Sequence, residues 1–161
     1  MLIRTTRRQQ RISDLRPVLG VFVLLEALAF LLGALLHAGV EIPIGGGMYL
    51  EHVVPATIVE SVCSLVLAVG AVALITRNRR AWEATLSAHV IAIAGTILGI
   101  VAITAGRGEH NLPNDIFHRI VLVAMVAVLV LLWTPTGRRA IRRDAAELAV
   151  RGSSGNDRQR R

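Results

Sequence analysis

Residues 17–40 read PVLGVFVLLEALAFLLGALLHAGV, and this stretch decides the fold because it is apolar throughout apart from Glu26 and His37. A helix rises 1.5 Å per residue, so about 20 apolar residues cross a hydrocarbon core of about 30 Å. Helices are also the open-chain elements that satisfy every backbone hydrogen bond within lipid. The stretch is therefore interpreted as a transmembrane helix.

Three further runs of similar apolarity follow, at 53–76, 81–106 and 116–137. The chain of 161 residues is 53% hydrophobic and only 4% aromatic, a composition that is unusual for a soluble domain. The sequence therefore predicts an all-α fold, an integral membrane four-helix bundle over residues 17–137. It also predicts a basic N-terminal tail at 1–16 and a basic, partly disordered C-terminal tail at 138–161.

The arginines predict the orientation of the chain in the membrane. Of the 18 basic residues, all except Arg107 and Arg119 lie in the two tails or between the second and third spans. Because cytoplasmic loops carry the excess of basic residues, both termini are predicted to be cytoplasmic, in a multi-pass protein of the plasma (cytoplasmic) membrane. Nucleic-acid binding is not expected, since it requires basic residues and stacking aromatics on a soluble face.

The C-terminal tail begins with a predicted amphipathic helix that carries Ile141 on its apolar face. We expect this helix to rest on anionic lipids of the inner leaflet, the alternative being a cytoplasmic charge cluster without lipid preference. The arginines predicted at the lipid surface are Arg138, Arg139, Arg142 and Arg143. A second copy of the chain or another subunit of a membrane complex is the other partner considered.

Three ionisable residues lie deep within the predicted spans. Counted at 1.5 Å per residue from flanking charges, Glu26, Glu60 and His89 lie about 15, 18 and 13 Å from the cytoplasmic boundary. They are therefore expected to share one level and are candidates for binding or relaying a proton, because an ionisable group in hydrocarbon is costly unless paired, neutralised or wetted. The alternative is that they hydrogen-bond one another and only stabilise the packing of the helices.

A second group of polar residues is predicted near the external face. The candidates for polar or ligand-binding roles there are His37, His52, His110, Asp115 and His118. His37 lies on the same helical stripe as Glu26, and if such stripes face the bundle axis, a polar core opens externally and closes at the cytoplasmic side. The glycines predicted to pack helices together are Gly33, Gly95 and Gly99, the last two as a small-xxx-small pair.

The leading functional hypothesis is a small membrane transport or accessory protein whose Glu/His site binds or relays a proton. A structural or regulatory subunit of a membrane complex, with polar residues that only pack, is the alternative from another class. A metal- or haem-binding redox protein ranks lower; haem between His37 and His118 is conceivable, and no cofactor is strongly implied. An enzyme is less expected, because neither G-x-S-x-G nor a Walker-type phosphate loop occurs.

Overall fold

The computed structural model describes residues 15–41, 52–107, 112–138 and 141. The four helices are α1 (Leu15–His37), α2 (Val54–Ile75), α3 (Ala81–Thr104) and α4 (Leu112–Trp133). Each helix is long and apolar enough to cross a membrane. The predicted all-α fold with four long apolar helices is confirmed.

Prolines mark where the helices start. Pro17 and Pro55 lie in the first turns of α1 and α2, where the missing backbone N–H costs little. The last helix begins at Leu112, four residues before the predicted span, because Pro113 and Asn114 also belong to a first turn. Helix α4 ends at Trp133, just ahead of Pro135.

Helices α1, α2 and α3 end in the same hydrogen-bonded turn. The residue after each C-cap has a positive φ, 85° at Gly39, 55° at Arg77 and 70° at Gly106. The backbone N–H of the residue that follows then donates to the carbonyl oxygen five residues earlier. These hydrogen bonds run from Val40 to Leu35, from Asn78 to Ala73 and from Arg107 to Ala102. This Schellman arrangement satisfies carbonyls that a helix end would leave without partners. Glycine adopts the required conformation freely at two of the ends, and Arg77 adopts it at the third.

The helices form an antiparallel ring in chain order. Packing is most extensive between α1 and α2, follows between α2 and α3 and between α3 and α4, and is sparse between α4 and α1. The Arg16 end of the bundle contains the starts of α1 and α3 and the ends of α2 and α4, and the His37 end is the opposite one. Side-chain hydroxyls also link neighbours, since Ser64 Oγ donates to the Ala27 carbonyl at 2.9 Å.

The Arg16 end is closed by side-chain packing. Val23, Leu67, Leu74 and Leu132 are fully buried on this side of Glu26. Arg16, which the sequence places in the N-terminal tail, is buried in the first turn of α1 instead. Its Nη2 donates to the backbone oxygen of Asn78 at 3.0 Å, so the start of α1 is attached to the connection between α2 and α3.

The outward faces of the helices are apolar. Large side chains that are more than half exposed include Val18, Leu65, Leu98 and Val123. So much exposed apolar surface is unfavourable in water and favourable against lipid. Together with the four helices of spanning length, this surface suggests a multi-pass membrane protein.

The chain that follows α4 packs against the Arg16 end. Helical backbone resumes at residues 135–138, and the guanidinium carbon of Arg138 lies 5.1 Å from the ring centroid of Trp82 and 6.0 Å from that of Trp133. Ile141, predicted on an apolar face, is buried. Of the arginines predicted at a lipid surface, Arg138 thus contacts two indoles, whereas Arg139, Arg142 and Arg143 lie outside the described residues.

Candidate functional site

Glu26 and His89 form a buried pair in the middle of the bundle. Nε2 of His89 lies 3.0 Å from Oε2 of Glu26, and both side chains are almost inaccessible to solvent. The pair joins α1 to α3, which do not neighbour each other in the ring. On its other side, Nδ1 of His89 lies 2.8 Å from the backbone oxygen of Thr85.

These contacts fix how the Glu26 and His89 pair holds its protons. A backbone carbonyl only accepts hydrogen bonds, so Nδ1 of His89 carries a hydrogen and donates it to Thr85. The contact between Nε2 and Oε2 then contains one further hydrogen, which sits on the carboxyl in a neutral pair or on the imidazole in an ion pair. One proton can therefore change sides without any change in the hydrogen-bond partners.

Glu60 and His37 form a second buried pair, between α1 and α2. Nδ1 of His37 lies 2.8 Å from Oε2 of Glu60 and 3.1 Å from the backbone oxygen of Gly33. Because the carbonyl can only accept, Nδ1 carries the hydrogen and Oε2 accepts it. Any proton that Glu60 takes up therefore binds at Oε1, a buried atom that has no hydrogen-bond partner among the described residues.

The sequence-based estimates of depth predict that Glu60 and His89 share one level in the bundle. The structure places the two side chains at different levels. A Cβ added at Gly33 would lie 2.9 Å from Oε1 of Glu60. Gly33 follows Glu26 by seven residues, so the carboxyl of Glu60 lies about 10 Å closer to the His37 end than Glu26 does. The three candidates therefore separate into two pairs, and His37, predicted at the outer mouth, becomes the partner of Glu60.

Helix direction explains this separation. Side chains on a helix lean toward its N-terminus. Helices α1 and α3 are parallel to each other, so Glu26 and His89 both lean toward the Arg16 end and meet. Glu60 lies on the antiparallel α2 and leans toward the His37 end, where it meets His37. Counting depth at the Cα atoms misses this difference.

The same local hydrogen bond orients all three buried histidines. Nδ1 of His37, His89 and His118 lies 2.8 to 3.1 Å from the backbone oxygen four residues earlier in the same helix. Each carbonyl has a second lone pair available beyond its helical hydrogen bond. The result is a set of imidazoles whose tautomer is defined at Nδ1, which leaves Nε2 of His89 and His118 to face other groups.

A cavity of about 350 Å³ lies at the His37 end between the helices. Its walls are mostly apolar, and Phe30, Val59 and Leu98 are among them. The polar side chains that line it are His37, Glu60, Thr96, Arg107, Asn114 and His118. Gly95 and Gly99 form part of the α3 wall, and a Cβ there would lie 2.8 Å from Cys63 Sγ and 3.2 Å from His118 Nε2 respectively. The predicted glycine pair thus contacts α2 with one member and α4 with the other.

Phe30 lies along α1 between Glu26 and the residues of α1 nearer the His37 end, and it lines the cavity. It lies one helical turn beyond Glu26 on the same stripe of α1, is buried, and lines the cavity. Its ring meets that of Phe117 edge to face, with centroids 6.5 Å apart. Glu60 therefore faces the cavity, whereas Glu26 lies behind an aromatic side chain.

The remaining predicted residues of the outer group do not line this cavity where they are described. His52 is exposed ahead of α2, and Asp115 is half-buried in the first turn of α4. His110 lies outside the described residues. Among the predicted outer residues that are described, only His37 and His118 thus line the cavity.

Sequence reasoning missed several residues of the site. Phe30 and Thr96 have no role in the sequence analysis, and Arg107 enters it only as a basic residue that bears on orientation. Asn114 precedes the predicted span at 116–137, although Pro113 beside it also suits a first helical turn. The preference of proline for the first turn of a helix is the one signal that could have placed Asn114 within α4. Asn114 is buried there.

The described residues contain no group of three or more His, Cys, Asp or Glu side chains that could hold a metal ion. The metal-binding alternative therefore lacks a ligand set in this part of the chain. No family model, curated protein or solved structure matches the chain. The geometry of the two pairs and the cavity is consequently the basis for assigning a function.

Proposed function

We propose that this chain is a small membrane transport protein in which protons move between two buried carboxyl–imidazole pairs. The observation that carries the proposal is the Glu26 and His89 pair, because its geometry leaves one proton between Oε2 and Nε2 with alternative positions. An ionisable pair in the middle of an apolar bundle is costly to retain and is a functional site by default.

The Glu60 and His37 pair connects the proton of the Glu26 and His89 pair to the solvent at the His37 end. Glu60 lines the cavity, so protons can reach its carboxyl from the His37 end when the carboxyl turns and its enclosed Oε1 becomes accessible. The two carboxyls are about 10 Å apart along α1, too far for one hydrogen bond, so transfer between them requires water and a displacement of the Phe30 ring. Phe30 thus acts as the gate of the relay.

Because the Arg16 end of the bundle is closed, the proposed relay does not form a path that is open at both ends at once. Fully buried apolar residues fill the bundle between Glu26 and this end. A proton held by Glu26 and His89 leaves toward the Arg16 end only when these helices rearrange. The protein therefore resembles a carrier more than a channel in this conformation.

The orientation proposed for this carrier has the Arg16 end in the cytoplasm. The described arginines at this end are Arg16, Arg77, Arg79, Arg80 and Arg138, against Arg107 and Arg119 at the other. Such an excess favours a cytoplasmic location in the plasma (cytoplasmic) membrane. The cavity then opens to the exterior, and the basic tail beyond Arg138 meets anionic lipids of the inner leaflet or a membrane partner.

Proton movement into liposomes tests the proposal. Purified protein is reconstituted with a trapped pH-sensitive dye, and a potassium diffusion potential drives protons inward. Wild-type protein should acidify the lumen faster than empty liposomes, and Glu26→Gln and Glu60→Gln should each slow the rate at least about tenfold. Glu83→Gln, which removes an exposed carboxylate outside the core, is the matched control and should keep the wild-type rate.

The same measurement separates the relay from the packing alternative. If the pairs only hold helices together in a structural or regulatory subunit, folded wild-type protein conducts no more protons than the Glu26→Gln and Glu60→Gln double variant. That result would overturn the proposal.

A further inference from the structure

The cavity at the His37 end has the construction of a small-molecule site. Its volume of about 350 Å³ and its apolar walls are typical of pockets that bind organic ligands, with a few polar groups placed to orient them. Pro55 of α2 and Leu98 of α3 line it and are exposed, so the cavity reaches the outer surface between these helices. A ligand can therefore enter from the side that faces lipid.

Glu60 provides the polar contact within this site. Its side chain is about 5% exposed, and its Oε2 is occupied by the hydrogen bond from His37. Its Oε1 is buried without a partner among the described residues, although a buried oxygen of this kind costs free energy when unsatisfied. Oε1 is enclosed in this conformation, so a molecule in the cavity that donates a hydrogen bond to it removes this cost once the carboxyl turns toward the cavity.

The chemistry of the carboxyl selects the type of donor. A carboxylate attracts an ammonium group and repels an anion, and hydrogen bonds to charged groups are stronger than neutral ones. If Glu60 is protonated when a neutral amine arrives from the lipid, the O–H bond at Oε1 breaks and an N–H bond forms on the amine. The product is an ammonium group paired with a carboxylate, with no other reactant required.

Arg107 favours entry of a neutral ligand from the lipid between α2 and α3. It lines the cavity and is exposed, so its positive charge opposes cations that approach from the aqueous side of the His37 end. A neutral amine that dissolves in lipid and enters between α2 and α3 carries no charge for Arg107 to repel. The lateral opening and the buried carboxyl therefore serve the same class of molecule.

We propose that the cavity binds a small apolar amine, whose nitrogen donates to Oε1 of Glu60 and whose hydrocarbon part contacts the apolar walls. The inference rests on the proposed function in one respect, since it names the substrate class for the site where Glu60 exchanges a proton. Amine binding and proton release from Glu60 would thereby be coupled.

Equilibrium binding to the full chain in lipid nanodiscs tests the proposal. Benzylamine, benzyl alcohol and benzoate share one ring and differ in the polar group, and empty nanodiscs correct for partition into lipid. Wild-type protein should bind benzylamine about tenfold or more tighter than benzyl alcohol, and also tighter than benzoate, whose carboxylate is repelled by Glu60. Equal affinity for amine and alcohol would overturn the proposal without any variant.

Variants locate the bound amine. Glu60→Gln should abolish the preference for benzylamine over benzyl alcohol, whereas Glu83→Gln removes an exposed carboxylate outside the cavity and should retain it. Ala102→Phe places a ring in the cavity and should weaken both ligands about tenfold. An equal loss of preference in Glu83→Gln and Glu60→Gln would contradict the assignment to Oε1.

The outcome is distinguishable from that of the relay experiment. Amine binding with the expected selectivity, but without proton movement in liposomes, would overturn the relay and leave the binding site. Proton movement that depends on Glu26 and Glu60, without amine selectivity, would do the reverse.

Discussion

Oε2 of Glu26 and Nε2 of His89 lie 3.0 Å apart and connect α1 to α3, two helices that face each other diagonally across the bundle. The second pair, Glu60 and His37, connects the neighbours α1 and α2 nearer the His37 end. Helix α1 therefore contributes one residue to each pair. A small movement of α1 would change both hydrogen bonds at once, which is the property that a coupled relay requires.

The Glu26 and His89 pair can be tested through the stability of the fold. Glu26→Gln keeps a side chain that can donate to Nε2 of His89, so we expect the free energy of unfolding to change by less than about 1 kcal/mol. Glu26→Ala leaves the imidazole nitrogen buried without a partner and should cost about 1–3 kcal/mol more. Denaturation in one detergent measures both, and equal stability of the two variants would show that the hydrogen bond does not form.

The two carboxyls should differ in chemical accessibility. Glu60 lines the cavity and Glu26 lies behind Phe30, so a hydrophobic carbodiimide should label Glu60 at least about tenfold faster than Glu26. Mass spectrometry of peptides from protein in lipid measures the two rates separately. In Phe30→Ala, the rate at Glu26 should rise toward that at Glu60.

A matched variant distinguishes the gate from general loosening of the fold. Met125→Ala also removes a fully buried side chain, and Met125 does not line the cavity. This variant should leave the labelling of Glu26 slow. A similar increase in Met125→Ala and Phe30→Ala would mean that Phe30 is not a specific barrier.

Gly33 should be required for the position of the Glu60 carboxyl. In Gly33→Ala the new Cβ would lie 2.9 Å from Oε1, so the carboxyl must shift away from this part of α1. We expect a loss of about 1–3 kcal/mol in stability from overpacking and a several-fold slower proton movement in liposomes. Gly20→Ala places a Cβ 2.7 Å from Ile75 Cγ1, far from the pair. This control should lose stability yet keep the rate per folded protein, and a rate loss equal to that of Gly33→Ala would contradict the prediction.

The contacts of Arg138 should be visible in the intrinsic fluorescence. The chain has two tryptophans, Trp82 and Trp133, and the guanidinium lies near both rings. In Arg138→Gln we expect a change in emission and a loss of about 0.5–1 kcal/mol, the range for an exposed cation–π contact. Arg79→Gln removes an exposed arginine from the same end of the bundle and should leave the emission unchanged. Identical spectra for wild type and Arg138→Gln would show that the contact is absent.

Cysteine labelling tests the proposed orientation. The single native cysteine, Cys63, is buried and serves as the unreactive background. Glu41→Cys introduces an exposed thiol after α1, and Arg79→Cys introduces one between α2 and α3. In intact cells a membrane-impermeant maleimide should label Glu41→Cys and not Arg79→Cys, with both labelled after lysis. The opposite pattern would reverse the orientation of the bundle.

The sequence by itself determined the four apolar helices. Long runs without charges can satisfy their backbone only as helices in lipid, and the prolines at 17, 55 and 135 limit where those helices begin and end. It also identified the unusual polar residues, which are Glu26, Glu60 and His89 within the spans and His37, His52, His110, Asp115 and His118 near the external face. These conclusions depend on composition and local spacing, which a single chain displays directly.

Only the tertiary structure decided which of these residues meet. Partners depend on side-chain direction, and this differs by helix: Glu60 on the antiparallel α2 leans away from Glu26 and toward His37. The cavity, the position of Phe30 behind it and the unpartnered Oε1 of Glu60 likewise depend on how four helices pack. Counting residues at 1.5 Å each locates a Cα atom along its own helix. The side chains extend several ångströms further, so the direction and rotation of each helix decide which of them meet.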